Sequence, residues 1–140
     1  MKIALAETET DIARCFPVMA ELRPHLSETR FVEQSRRQQQ VGFQLAYLED
    51  QGQIVSVAGF RMLEFLAWGK TLYVDDLVTV STARSKRYGG KLFDWLVDFA
   101  KSRGCDELHL DSGVQRFGAH RFYLQRRMEI NCHHFALKLK

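Results

Sequence analysis

The chain has 140 residues, 46% of them hydrophobic and 26% charged, with a formal net charge of +3. That length can bury a real core within one domain, residues 1–140, and the composition excludes a disordered chain. The charge excess is too small for a dedicated nucleic-acid binder, although it favours anionic ligands.

Lys2 to Glu7 reads as a short strand. Thr8 or Thr10 can cap the helix that follows, where Ile12, Cys15, Phe16, Met19 and Leu22 recur at helical spacing. Pro17 is expected to kink that helix or delay its start, and Pro24 to end it. A more polar helix covers residues 28–40, its basic residues forming a solvated face. Two strands, "FQLAYLED" and "QIVSVAGFRML", are joined by "EDQGQ", in which Gly52 supplies a positive φ. The loop "EFLAWGK" leads to a third strand, "TLYVDDLVTV". Beyond "ARSKRYGG" a helix carries Leu92, Phe93, Leu96, Val97, Phe99 and Ala100 inward, with Lys91, Asp94, Asp98 and Lys101 opposite, and ends at Gly104. A strand "ELHLDSG", a helix "RFGAHRFYLQRR" and a closing strand "NCHHFALKLK" complete the order. This predicts a mixed α/β sheet with at least one parallel crossover, between "YVDDLVTV" and "ELHLDSG".

Cys15, Cys105 and Cys132 lie far apart without a CxxC spacing and read as buried free thiols. His133 and His134 are adjacent in an expected strand and point to opposite faces, with no third ligand at metal spacing, so no metal site is expected. Trp68 and Trp95 read as packing residues. No apolar run approaches the roughly 20 residues that span a membrane. The segment "MKIALAETET" turns acidic too early for a signal peptide, so a cytoplasmic protein without membrane partners is the expectation.

The stretch from Arg84 to Gly90 places three cations and two glycines where a helix begins. A helix N-terminus has unpaired N–H groups and the positive end of its dipole, so it attracts phosphates. Glycine lets a ligand approach the backbone, and each charge-assisted hydrogen bond contributes about 1.5–3 kcal/mol. On residue chemistry alone, an anion site and a basic surface turn both fit. Neither GxxxxGK[ST] nor GxGxxG occurs.

Arg84-Ser85-Lys86-Arg87-Tyr88-Gly89, after "DDLVTV", resembles the [QR]-x-x-G-x-[GA] signature of the GNAT family of acetyl-CoA-dependent N-acetyltransferases. "LDSGVQRFGAHRFYLQRRMEI" is similar to the family's second motif, through Ala119, Phe122 and Tyr123, and "HHFALKL" resembles its last strand. Two departures stand out. Arg87 replaces the signature's leading glycine, and Arg127 and Met128 replace the glycine and aromatic that follow the tyrosine helix.

The resemblance implies the GNAT fold, a mostly antiparallel mixed sheet with splayed parallel strands flanked by helices. It implies acetyl-CoA held by Leu77, Val78, Thr79 and Val80, by the run Arg84, Ser85, Lys86, Arg87, Tyr88, Gly89, Gly90 and Lys91, and by Arg116, Ala119 and Phe122. An amine of a small molecule or peptide would attack the acetyl carbon directly, with a backbone N–H near Leu77 or Val78 as oxyanion stabiliser. Tyr123 would protonate the departing thiolate. Asp76 would take the ammonium proton, directly or through water; Asp75 and Asp76 are consecutive in a strand and should face opposite sides, so at most one can serve. The acceptor pocket would be built from "LRPHLSETRFVEQ" and "LEFLAWGK". Two rivals remain: a catalytically weak acyl-CoA sensor or scaffold of the same fold, and a nucleic-acid-binding domain using "SRRQQQ", "RSKR" and "QRR". The last draws on three separate elements without interleaved aromatics. The resemblance is compatible with a homodimer.

Overall fold

Local chemistry sets the first helix. Thr8 accepts a hydrogen bond from the amide of Asp11 at 3.2 Å and so caps α1, Glu9–Leu22, while Thr10 lies inside the helix. The helix starts on time and runs through Pro17. One backbone bond is lost there, but Ile12, Cys15, Val18 and Met19 on either side are buried and hold the helix by packing. Ser27 caps α2, Glu28–Gln39, in the same way, through the amide of Arg30.

The computed structural model describes residues 1–140, apart from the side chain of Ser85. Two compact units, Met1–His109 and Leu110–Lys140, make up the chain. The first holds the sheet, in the order β1-β2-β3-β4-β5, with β1 Lys2–Leu5, β2 Phe43–Asp50, β3 Gln53–Phe65, β4 Gly69–Thr79 and β5 beginning at Glu107. β1 to β4 pair antiparallel, each with the next, and the sheet as a whole is mixed. Between β2 and β3, Gln51 and Gly52 both have positive φ, 51° and 76°, the requirement of a two-residue type I′ turn. The segment expected as a loop before β4 is mostly strand. Glu64 pairs with Lys70 and Phe65 with Gly69, which leaves only Leu66, Ala67 and Trp68 as the turn.

On one face of the sheet, α1 and Phe31 of α2 pack on Leu45, Tyr47, Val57 and Val78. On the other, α3, Tyr88–Ser102, buries Leu92, Phe93, Leu96 and Ala100, with Val97 and Phe99 half-buried. Trp95 and Phe99 meet the fully buried Phe60 edge-on at 6.4 and 5.5 Å. Burial of each such side chain contributes about 1.5–3 kcal/mol, so both layers anchor β3 and β4 firmly. Trp68 stacks on His109 with ring centroids 3.7 Å apart.

The second unit is built on α4, Phe117–Gln125. Its end turns at Arg127, φ 66°, with the amide of Met128 donating to the carbonyl of Tyr123 at 3.1 Å. The expected closing strand over residues 131–140 does not form. Its alternating apolar residues Phe135, Leu137 and Leu139 are 85–90% exposed. A strand exists only as part of a ladder, and within residues 111–140 no other segment is extended and paired. The cysteines also differ from expectation. All three are free, but only Cys15 is buried; Cys105 is intermediate and Cys132 exposed. Burial pushes the Cys15 thiol up to about 12, so it stays protonated.

Candidate functional site

The middle of β4 carries a bulge. Gly59 pairs with Asp76 and Phe60 with Val74, so Asp75 is an extra residue without a partner in the ladder. Strict alternation would send Asp75 and Asp76 to opposite faces, and the bulge cancels it. Arg61 stands opposite Phe43 and Tyr73, with its guanidinium 5.5 Å from the Phe43 ring centroid, and it forms a two-pronged ion pair with Asp75. Asp76 stands opposite Gly59, where the same Phe43 ring occupies the space of the missing side chain, 2.8 Å from where a Cβ would lie. Both carboxylates therefore open on the face that α1 and α2 cover.

Their partners differ. Asp75 engages Arg61 through both oxygens, and this hydrogen bond raises the Arg61 pKa further. Asp76 meets Arg23, at the C-terminal cap of α1, through Oδ1 alone, which accepts from Nε at 2.8 Å and from Nη2. Asp76 and Arg23 line a cavity of about 250 Å³ under α1 and α2, together with Met19, Phe31, Gln34 and Phe43 among others. Asp75 does not line it.

Downstream, β4 runs into a short 3-10 helix, Ser81–Lys86, and then Arg87 adopts the left-handed conformation, φ 61°, ψ 24°, as the N-cap of α3. That is the position of the signature glycine, and the backbone keeps a glycine-like conformation there despite the side chain. Among the described side chains none caps this helix end, so the N–H groups of Tyr88, Gly89 and Gly90 are those that helix geometry leaves without an intrahelical partner. A Cβ on Gly89 would lie 2.9 Å from Thr79 Oγ1, and Thr79 in turn lies 3.0 Å from Ser56 Oγ. The helix start thus sits close against the end of β4. This suits an anionic group received by backbone amides.

The predicted contact residues divide by what their side chains already do. Val78 is buried in the α1 core and Val80 packs at its margin; the Val78 carbonyl accepts from Ser56 Oγ at 3.1 Å, and the Val80 amide donates to the Val55 carbonyl at 2.8 Å. Tyr88 is buried with Leu48 and Ala83, and its hydroxyl donates to Asp50, so its side chain is not free for a ligand. Gly90 is buried, and Leu77, Thr79 and Gly89 are intermediate. Arg84, Lys86, Arg87 and Lys91 are exposed, with Arg84 3.9 Å from Glu21. The Ser85 side chain lies outside the described residues.

In the second unit, Arg116 is the exposed N-cap of α4, and Ala119, Phe122 and Tyr123 are half-buried. Phe122 meets Tyr123 edge-on at 5.4 Å. Burial raises the Tyr123 pKa, opposed in part by the charge of Arg116. His120 donates from its ring to the carbonyl of Gly113 at 2.9 Å, and His134 lies 3.4 Å from Asp111. Among the described residues no three His, Cys, Asp or Glu gather as metal ligands, and no helix is long and apolar enough to cross a membrane.

A model of the Acetyltransferase (GNAT) family matches residues 5–128. An uncharacterized N-acetyltransferase of Bacillus subtilis, YhdJ, is 35% identical over 115 residues, 81% of each chain. Among solved structures, a transcriptional regulator from Bacillus halodurans superposes with a TM-score of 0.84 at 24% identity, over 99% of this chain and 98% of that one. A ribosomal-protein-alanine N-acetyltransferase from Brucella melitensis does so at 0.84 and 19%, over 99% and 100%. At these identities the two structures establish the shared fold. The chain belongs to the GNAT family of acetyltransferases.

Proposed function

We propose that the chain is an acetyl-CoA-dependent N-acetyltransferase that acylates a primary amine by direct attack in a ternary complex. The observation that carries this reading is the uncapped start of α3, set by the left-handed Arg87 against the end of β4 and just downstream of the bulged Asp75–Asp76 pair. The family match crosses the division between the two units, which supports treating residues 1–140 as one N-acetyltransferase domain.

Bound acetyl-CoA would supply an activated acetyl thioester. The amides of Tyr88, Gly89 and Gly90 would receive the diphosphate, with Arg84, Lys86, Arg87 and Lys91 adding charge. The backbone of Leu77 to Val80 would align the pantetheine arm, and an amide at Leu77 or Val78 would stabilise the oxyanion, worth about 3–4 kcal/mol. Asp76 would take the proton from the acceptor's ammonium group at its carboxylate. Tyr123 Oη, kept protonated by its raised pKa, would give a proton to the leaving sulfur.

The test pairs acetyl-CoA titration by calorimetry with release of free thiol in the presence of an amine panel. Binding with amine-dependent thiol release is expected. Binding without turnover on any amine would make the chain a sensor or scaffold, and no binding would overturn the reading altogether.

Gly89→Val is expected to weaken acetyl-CoA binding at least about tenfold, roughly 1.4 kcal/mol, because the helix start must move away from Thr79 to accept a branched side chain. Unchanged affinity in calorimetry would place the diphosphate elsewhere. Arg87→Gly should act oppositely on the fold. It removes a left-handed non-glycine residue and should raise the unfolding free energy by about 0.5–1 kcal/mol in urea titration. Acetyl-CoA affinity should stay within about fivefold, the scale of one exposed charge pair. Complete loss of binding would show that the arginine itself, rather than the backbone, holds the ligand.

A further inference from the structure

Resting on the acetyltransferase reading above, we infer that the acceptor is a small zwitterionic amine, an α-amino acid with an apolar side chain, whose carboxylate binds Arg23 and whose ammonium group binds Asp76. Charge balance in the cavity under α1 and α2 leads to this class. Among the described residues, Arg23 and Asp76 are the formally charged groups that line it and are paired with each other, and His25, counted neutral, is the other titratable side chain there. The adjacent Asp75 is likewise neutralised by Arg61. The site is thus neutral as it stands.

A simple amine arriving as a cation gains no net attraction from such a site. To reach the Asp76 carboxylate it must compete with Arg23, and on winning it leaves the guanidinium without its counter-ion. An acceptor that carries its own carboxylate avoids this. Its anion takes the Arg23 fork, a group suited to two parallel carboxylate bonds, while its ammonium takes the released Asp76. One ion pair is exchanged for two, and the cavity stays neutral. Arg23 is able to make this exchange. Its side chain is 41% exposed against 18% for Asp76, and it binds Asp76 through a single carboxylate oxygen.

Size and lining narrow the class. About 250 Å³ lies below the 300–1,000 Å³ of sites for drug-sized ligands, which favours one amino acid over an oligosaccharide or an extended peptide. Met19, Leu26, Phe31 and Phe43 give it apolar walls, while Gln34 and Gln38 offer polar contacts.

The experiment compares leucine, methionine and phenylalanine with their decarboxylated amines and α-carboxamides. It follows thiol release from acetyl-CoA, and in parallel titrates each compound calorimetrically into the CoA-saturated protein. At least one amino acid should exceed both carboxylate-free analogues about tenfold or more in kcat/KM and in affinity. Arg23→Gln should collapse that ratio to within about threefold, and Arg23→Lys, which keeps the charge, should retain part of it. Equal use of the decarboxylated amine, or a ratio unchanged in Arg23→Gln, would overturn the inference. So would failure of every amino acid in the panel while acetyl-CoA binds. Failure of acetyl-CoA itself to bind would instead strike the acetyltransferase reading.

Discussion

Replacing Tyr123 with phenylalanine is expected to slow the chemical step about a hundredfold or more while leaving acetyl-CoA affinity nearly intact. The substitution removes one oxygen. It keeps the ring that meets Phe122 edge-on, so the packing of α4 should survive. A hundredfold is the lower end of what a positioned general acid contributes. The pH profile adds a separate check. Burial raises the Tyr123 pKa, so the hydroxyl stays protonated up to and beyond the ordinary tyrosine value of about 10. The wild-type rate should therefore fall only on the far alkaline side, as pH rises through that raised value, and this limb should vanish in Tyr123→Phe. Equal losses of binding and rate would assign the tyrosine to cofactor positioning. Full activity would leave solvent to protonate the sulfur.

The second large effect is expected at Asp76. Asp76→Asn keeps the shape of the side chain but removes its ability to accept a proton, and kcat/KM at neutral pH should fall about 10²–10³-fold. Stability should change by no more than about 1 kcal/mol, because the Arg23 side chain is 41% exposed and water screens the pair in part. Asp75→Asn is the matched control. Asp75 shares the face but is held through both oxygens by Arg61 and lies outside the cavity lining, so a loss of less than about tenfold is expected. The reverse ranking of the two variants would move the base to Asp75.

The two aspartates also mark where the sequence stops being readable. The cap of α1, the Gly52 turn and the buried stripe of α3 rest on neighbours within a few residues; local chemistry narrowed the cap to Thr8 or Thr10, and turn chemistry and periodicity sufficed for the other two. The shared face of Asp75 and Asp76 depends on a bulge against Gly59 in another strand, and the Arg23–Asp76 pair joins residues 53 positions apart. No pattern within one segment encodes either. The helix start was legible through its motif, but the motif alone did not show that Tyr88 turns inward to Asp50 and leaves only its amide for a ligand. Residues 131–140 failed in the opposite sense. Their alternation is strand-like, yet a strand needs a paired neighbour, which alternation cannot guarantee.

The proposed function requires that backbone amides at the start of α3 receive the diphosphate of acetyl-CoA. Amide chemical shifts of the isotopically labelled full chain, followed during titration with acetyl-CoA, test it at single-residue level. The largest shifts should fall on Tyr88, Gly89, Gly90 and Lys91, saturate with the calorimetric affinity, and need at least about tenfold more acetyl-CoA in Gly89→Val. Saturable shifts elsewhere, with these four amides unmoved, would contradict it.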